Sequence, residues 1–468
     1  MDVELVVTAG LGDNSYVLVS EAEALVVDPQ RDVGRYLEIA ASKGAVIGQV
    51  LETHVHNDYV SGAVELRAAT GAEIVGPAGA GYGFAHRGVA DGDELKVGDL
   101  RIVAVATPGH TPEHTSYLVY EGGSDAPSAA FTGGSLMVGG AGRTDLLGPA
   151  FTDGLTRDQF RSLRRLAALP DAVAVLPTHG AGSFCGTGPA PRERTSTLSE
   201  ERVRNPALAA PDEETFVRMQ LSGLLAYPAY YRSMAPINRA GPAVLGDLMP
   251  RLSKLRLSKL SPEQLERAMA GGVAVVDARW RVQFARAHVP GSINVELDDT
   301  FGSYVGWVVP FGSPVALVLP EPEGEAMDEA ATQLLRIGYD RIEGYLAGGV
   351  KAWRASGRAV GSYPVAGLEE LCRRYRSSLR PEVLDVRQQA EWDAGHIEGS
   401  RHVFVGDLPG RVEELAGAGE VWAVCGTGHR ASLASSLLDR AGIQVRLVDG
   451  TGVRDFLKHC AGSILGPS

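Results

Sequence analysis

The chain is poor in the features that would send it to a membrane, a nucleic acid or an oxidising compartment. Cysteine is scarce: Cys185, Cys372, Cys425 and Cys460 are all there are in 468 residues, too few and too scattered for a disulfide scaffold. Positive charge is in deficit, with 44 Lys and Arg against 57 Asp and Glu and a formal net charge of −13. That balance argues against nucleic acid or an anionic membrane as partner. No apolar run approaches the ~18 residues that a membrane span needs. The opening MDVELVVTAGLGDN carries acids where a secretory signal carries basic residues. These absences set the expectation of a cytoplasmic protein with reduced thiols. Glycine, by contrast, is abundant at 58 residues, above the usual ~7%. With no three-residue period, the excess fits an α/β protein with many tight loops, and the length suggests about three domains.

From Met1 to about Pro236, short apolar runs alternate with Gly/Pro/Asp turns: YVLVS, EALVVDP, VIGQVLETH, AEIVGP, LRIVAVATPGH, TSYLVY, AAFTGG and AVAVLPTH. They read as strands. VGRYLEIAASKG, YVSGAVELRAATG and RDQFRSLRRLAAL read as helices between them. Pro-rich and basic punctuation, APINRAGPAVL and then PRLSKLRLSKL, reads as a connector. Beyond it the chain repeats itself. VVDAR and AHVPGSINV in one unit match VLDVR and GHIEGSRHV in the next, with Asp277 and Asp385 as equivalent positions. Each unit reads β-α-β-α and opens on a helix, the first with Ser261 as cap and Pro262 at the first helical position.

The second repeat ends the strand pattern VWAVC at Cys425, and GTGHRASLASSLLDRAG continues into a helix. A strand-to-helix loop with Gly426 and Gly428 can curl its backbone N–H groups toward the sulfur. The helix dipole and Arg430 add positive potential, and all three favour thiolate over thiol. CGTGHR, with LDVR and GHIEGS upstream, resembles the rhodanese-type sulfurtransferases, whose active loop is a Cys followed five positions on by Arg. The resemblance implies that Cys425 carries sulfane sulfur and Arg430 supports an anionic substrate. Gly426, Thr427, Gly428 and His429 would then form the rest of the loop. Asp385, Arg387 and His396 fall in supporting motifs. The matching stretch of the first repeat, VLPEPEGEAMDEA, has five acids and no cysteine, so residues 260–358 read as a catalytically silent copy, a spacer or docking unit.

In the N-terminal part, VIGQVLETHVHNDYVSG puts His54, His56 and Asp58 at the end of a strand, where alternate residues of an extended segment point the same way. His110 in ATPGHTPEHTSYLV and His179 in VLPTHGAGSF come after two further strands. These histidines read as one converging set, and His86, His114 and the rest as surface or loop residues. The order HxHxD, TPGHT, FTGGSL…GRTDL and PTHG resembles the metallo-β-lactamase fold. With TSTLSEERVRNPAL after PTHGAGSFC, it resembles the persulfide dioxygenase branch of that fold.

The whole chain is similar to a persulfide dioxygenase-like domain fused to two rhodanese-like domains. That resemblance implies an α/β multidomain protein: an αββα sandwich over residues 1–240, then doubly wound α/β domains over 255–360 and 364–468. It implies a mononuclear Fe(II) enzyme of sulfur metabolism that oxidises a low-molecular-weight thiol persulfide to sulfite and thiol. Cys425 would move sulfane sulfur to or from thiosulfate or sulfite, in a homodimer or homotetramer.

Carried over, His54 and His110 are the two histidine ligands, but the family's carboxylate, in FTGDxL, is here Gly134. The 2-His-1-carboxylate set is the usual one for non-haem iron oxygenases. Three arrangements remain open. His56 joins, giving a three-histidine site that suits zinc as well as iron; Asp58 turns in as the carboxylate; or no metal binds and the chain is a sulfurtransferase only. In any of these, Asp58 and His179 otherwise stand as supporting or alternative ligands. A mononuclear zinc thioester hydrolase is a weaker alternative. Two-metal hydrolysis is disfavoured, because Tyr59 stands where dinuclear members carry His and the lost carboxylate is their bridging ligand. Gly134→Asp is expected to tighten iron binding. Cys185 reads as a buried loop residue, and Cys372 and Cys460 receive no role.

Overall fold

The computed structural model describes residues 1–187, 191–246, 257–378 and 380–460. Two compact units emerge: Met1–Lys254 with Leu335–Gly338, and Leu255–Leu334 with Tyr339–Ser468. The connector read over 235–245 and 250–260 begins instead inside a helix, Tyr231–Ala240, which runs through Pro236, and its residues 250–256 lie outside the described residues.

The first unit is built on two six-stranded sheets. One is ordered Asp2–Thr8, Asp13–Ser20, Glu23–Val27, Val46–Leu51, Glu73–Pro77, Arg87–Val89, and the other Ser196–Thr197, Ala174–Pro177, Ala129–Gly133, Thr115–Tyr120, Leu100–Ala106, Glu94–Val97. Side chains alternate along each strand, and in the central strands both faces are buried while the edge strands Asp2–Thr8 and Glu94–Val97 keep one face exposed. Tyr16, Leu18, Leu51 and Val75 of the first sheet pack against Ile102, Tyr117, Val119 and Phe131 of the second. The opposite faces, Val17, Val26, Val50 and Ile74, meet Tyr36 and Leu66 of the helices Gly34–Ser42 and Ala63–Thr70. On the far side, Leu118, Ala130 and Val175 meet Leu163 and Leu166 of Pro149–Ala167 and Phe216 of Glu213–Ser222. The result is helix, sheet, sheet, helix. Apolar runs without polar alternation, such as EALVV, are therefore strands covered on both sides.

Two local differences have simple causes. The strand Asp2–Thr8, which the sequence pattern left unread, pairs antiparallel with Asp13–Ser20 across the turn at Gly12. The helix read from Arg157 begins at Pro149, where Gly148 at φ +94° turns the chain and proline occupies the first helical position.

The strands that lead to the histidines leave at one edge. Glu23–Val27 and Val46–Leu51 run parallel, as do Ala129–Gly133 and Ala174–Pro177. The two sheets are stitched at that edge by Asn14 N–H donating to Thr178 O at 2.7 Å.

The second unit holds two five-stranded, all-parallel sheets of one design. One is ordered Lys259–Leu260, Ile342–Leu346, Val315–Val318, Ala274–Asp277, Ile293–Asn294; the other Val365–Ala366, Val445–Val448, Val421–Val424, Glu382–Asp385, Arg401–His402. The helix Pro262–Ala270 starts as the sequence predicts, with Ser261 Oγ accepting from Gln264 N–H. In each copy the aspartate that ends a central strand clamps the arginine two residues on. Arg279 Nη2 donates to Asp277 Oδ2 and Arg387 Nη2 to Asp385 Oδ2, both at 2.6 Å. Cys372 and Cys460 face each other as a disulfide pair with Cα atoms 5.6 Å apart, a pairing that no sequence pattern announces. Among the described residues no helix is long and apolar enough to cross a membrane.

Candidate functional site

At the shared edge of the first unit's sheets, His54, His110 and His179 form one group, each 1% exposed or less, with ring nitrogens within 4.8 Å of one another. Each imidazole is held from behind through Nδ1. His110 Nδ1 lies 2.7 Å from Arg143 O, a carbonyl that can only accept, so Nδ1 carries the proton. His54 Nδ1 lies 2.8 Å from Thr53 Oγ1, whose own proton goes to Asp28 Oδ2 at 2.7 Å. Thr53 therefore accepts from His54. His179 Nδ1 lies 2.9 Å from Asp13 Oδ1 and 3.3 Å from Asp58 Oδ2. The Nε2 atoms converge. Those of His54 and His179 are 3.3 Å apart, and that of His110 is buried with no hydrogen-bond partner. Burial, reinforced by the neighbouring imidazoles, holds His54 and His110 well below the ordinary histidine range. Both are neutral, as metal ligands must be.

His56 stands apart from that three-histidine group. The strand ends at Leu51 and residues 52–58 bend, so the alternation that would align His54 with His56 does not continue. His56 Nε2 sits 2.9 Å from Glu52 Oε2 and 3.3 Å from Asp28 Oδ1. Although burial opposes it, these carboxylates hold His56 well above its usual range, which makes it an imidazolium. It still lies close enough to join two other groupings, one with Asp28 and His54 and one with Asp58 and His179. Asp58 faces the Nδ1 side of His179, behind the converging nitrogens. Burial lifts Asp58 to about 7 and Asp13 to about 8. Tyr59 Oη donates to Asp28 O and closes the space beside His56.

His114, read from sequence as a surface or loop residue, lies in a loop but not at the surface. It is fully buried, stacks on His54 with ring centroids 5.1 Å apart, and accepts the Gly134 N–H at 3.0 Å through Nε2. Thr107 Oγ1 lies 2.9 Å from its Nδ1. The turn at Gly133–Gly134 is thus gripped from several sides. A Cβ on Gly134 would fall on Cδ2 of His110, and one on Gly133, at φ +53°, on His114 and Thr53. Asp13, Asp28, Glu52 and His114 carry no sequence motif that marks them as site residues. Only the strand-end position of Asp28 and Glu52 hints at them. Cys185 is buried as expected, and its thiol adjoins Asp58.

In the second unit, Cys425 comes directly after Val421–Val424 and precedes the helix His429–Arg440. Its Sγ accepts the Gly428 N–H at 3.1 Å, and Gly428 adopts φ +105° to present it. The sulfur lies beneath an exposed rim of Gly426 and Thr427. Arg430 is held by Glu391 through two bonds of 2.5 and 2.9 Å. The Cys-less copy contributes to this neighbourhood. The Tyr304 ring meets His429 edge-on at 4.9 Å, Asp298 Oδ2 lies 3.6 Å from His429 Nε2, and Ser432 Oγ donates to Asn294 Oδ1 at 2.6 Å. Burial lowers His429, against the pull of Asp298.

Comparisons with known proteins agree with this architecture. Residues 9–179 match the model of the metallo-beta-lactamase superfamily, and residues 261–356 and 368–457 each match the rhodanese-like domain. The hydroxyacylglutathione hydrolase of Cereibacter sphaeroides is 33% identical over 242 residues, which cover 50% of this chain and 88% of that one. A metallo-beta-lactamase structure from Staphylococcus aureus is 27% identical with a TM-score of 0.65, covering 74% of this chain and 98% of its own. The structure of ETHE1 from Myxococcus xanthus is 31% identical over 51% of this chain and 99% of its own, with a TM-score of 0.45. The chain belongs to the metallo-beta-lactamase superfamily, in a form whose metallo-beta-lactamase domain is followed by two rhodanese-like domains.

Proposed function

We propose that the chain oxidises a low-molecular-weight thiol persulfide in its metallo-β-lactamase domain and moves sulfane sulfur through Cys425. The observation that supports this most is that one chain joins imidazoles preset for a metal to a rhodanese loop whose cysteine accepts a backbone N–H. The donor set fits a single metal: neutral rings, protons held at Nδ1, and a buried His110 Nε2 with nothing else to bind. Iron(II), when bound near His54 and His110, supplies the redox chemistry toward O₂. The overall change is RSSH + O₂ + H₂O giving RSH and sulfite with two protons.

In the second unit, the Cys425 thiolate takes sulfur from a thiol persulfide and releases the thiolate. Sulfite then takes that sulfur from the Cys425 persulfide to give thiosulfate and restores the thiolate. Gly428 N–H steadies the anionic sulfur, and Arg430, oriented by Glu391, supports the anionic substrate. Carrying both activities on one chain raises the effective concentration of the shared sulfite. The test is oxygen uptake by anaerobically iron-loaded protein given glutathione persulfide. Uptake at one O₂ per persulfide is the expected result, and none from fully loaded protein rejects the reading.

A second reading, hydrolysis of a thioester at a single zinc, is favoured by the hydroxyacylglutathione hydrolase relatives. Thioester turnover without O₂ by zinc-loaded protein distinguishes it.

A further inference from the structure

Resting on the metal reading above, we propose that His179, backed by Asp13 and Asp58, is the third metal ligand of this chain. It replaces the carboxylate missing at Gly134 and makes a centre of three imidazoles.

The first argument is the approach of His54 and His179. With His54 Nδ1 committed to Thr53, its Nε2 faces Nε2 of His179 across 3.3 Å in a buried site. A cation held between the two nitrogens turns that contact into two bonds. Nitrogens bound to one metal at ~2.0–2.1 Å in tetrahedral geometry sit about 3.3–3.4 Å apart, so the separation is already that of a chelate. His110 Nε2 completes the face.

The second argument is space. Gly134 does not leave a gap for a side chain, because His110 fills the position its Cβ would take. The glycine and the placement of His110 are one arrangement. His56 is a poor substitute for His179, since Glu52 and Asp28 already hold its Nε2.

The third is charge. A carboxylate ligand would bring a negative charge to the metal directly. Here the acids Asp13 and Asp58 stand behind His179 instead, 2.9 and 3.3 Å from its Nδ1, where a carboxyl group orients the ligating imidazole. Three neutral imidazoles leave the full charge of a divalent metal to be met by substrate, which favours an anionic sulfur ligand, a thiolate or persulfide.

The test is metal binding, read separately from turnover. Full-length protein is stripped and titrated with Zn²⁺ and, anaerobically, with Fe²⁺, tracking metal content, chelator competition and melting temperature. His179→Ala should lose stoichiometric metal. Asp58→Asn, nearly isosteric and safer for folding, should weaken affinity about 10–100-fold. Gly134→Asp should lower affinity by displacing His110, the reverse of the sequence expectation. Wild-type affinity in both His179→Ala and Asp58→Asn, or a gain in Gly134→Asp, overturns the proposal. Such a result leaves the oxidation reading intact as long as iron-loaded protein still consumes O₂. If instead metal binding shows the predicted pattern but no O₂ is consumed, the oxidation reading fails and this one stands.

Discussion

The two rhodanese-like copies share a frame and differ in one loop. Their five parallel strands keep the same order, and their Asp–Arg clamps have the same bond lengths within 0.1 Å, 2.9 and 2.6 Å in Asp277–Arg279 and 2.9 and 2.6 Å in Asp385–Arg387. Where Val421–Val424 leads into Cys425 and a glycine-rich turn, Val315–Val318 leads into Leu319 and a Pro/Glu run. The clamp and the buried strands therefore belong to the fold, and chemistry resides in the loop at the end of the central strand. The Cys-less copy is not inert packing. Tyr304, Asp298 and Asn294 stand against the loop and helix that succeed Cys425.

The largest expected effect comes from the loop. Cys425→Ser should lower sulfur transfer from thiosulfate to cyanide by ~10³-fold or more while leaving oxygen chemistry unchanged. The converse, Leu319→Cys, should gain no transfer, because the loop after it offers acids where the active copy offers glycines. Steady-state assays of both variants decide whether the loop alone distinguishes the copies. The clamps should behave alike: Asp277→Asn and Asp385→Asn each leave a fully buried position without its charge and its arginine without a carboxylate partner, at a cost of ~3–5 kcal/mol, measured by denaturant unfolding. A loss confined to the Cys425 copy would give that clamp a catalytic part.

Tyr304→Phe should change kcat/KM for transfer by less than about tenfold with an unaltered melting temperature, a sign of contact at the mouth and not of folding. The smallest effect is on pH. Burial raises Glu391, but its bonds to Arg430 win and hold its carboxyl below the usual range. A lowered folded-state value contributes stability above the unfolded carboxyl range, lost as pH falls through the folded value. The melting-temperature advantage over Glu391→Gln should therefore shrink on acidification below about pH 4.5 and stay constant above it.

Much of this was legible from residue order. Buried runs such as AVAVLPTH ended in strands, histidines at their ends converged, and the Asp277 and Asp385 repeat gave two matching sheets. What failed did so for identifiable reasons. The alternation that set His54 and His56 on one face assumed a strand through residue 58, whereas the strand stops at Leu51. His114 lies in a polar stretch, TPEHT, and its burial arises from the Gly133–Gly134 turn that closes over it. Asp13 meets His179 only after the two sheets meet. Tyr304 meets His429 only once two copies distant in sequence pack together, and no local pattern encodes that.

The most direct test of the coupled account is the product made from glutathione persulfide by iron-loaded wild type and Cys425→Ser under equal oxygen uptake. The account predicts thiosulfate from wild type and sulfite accumulating without thiosulfate from the variant. Thiosulfate at equal yield from both would contradict it.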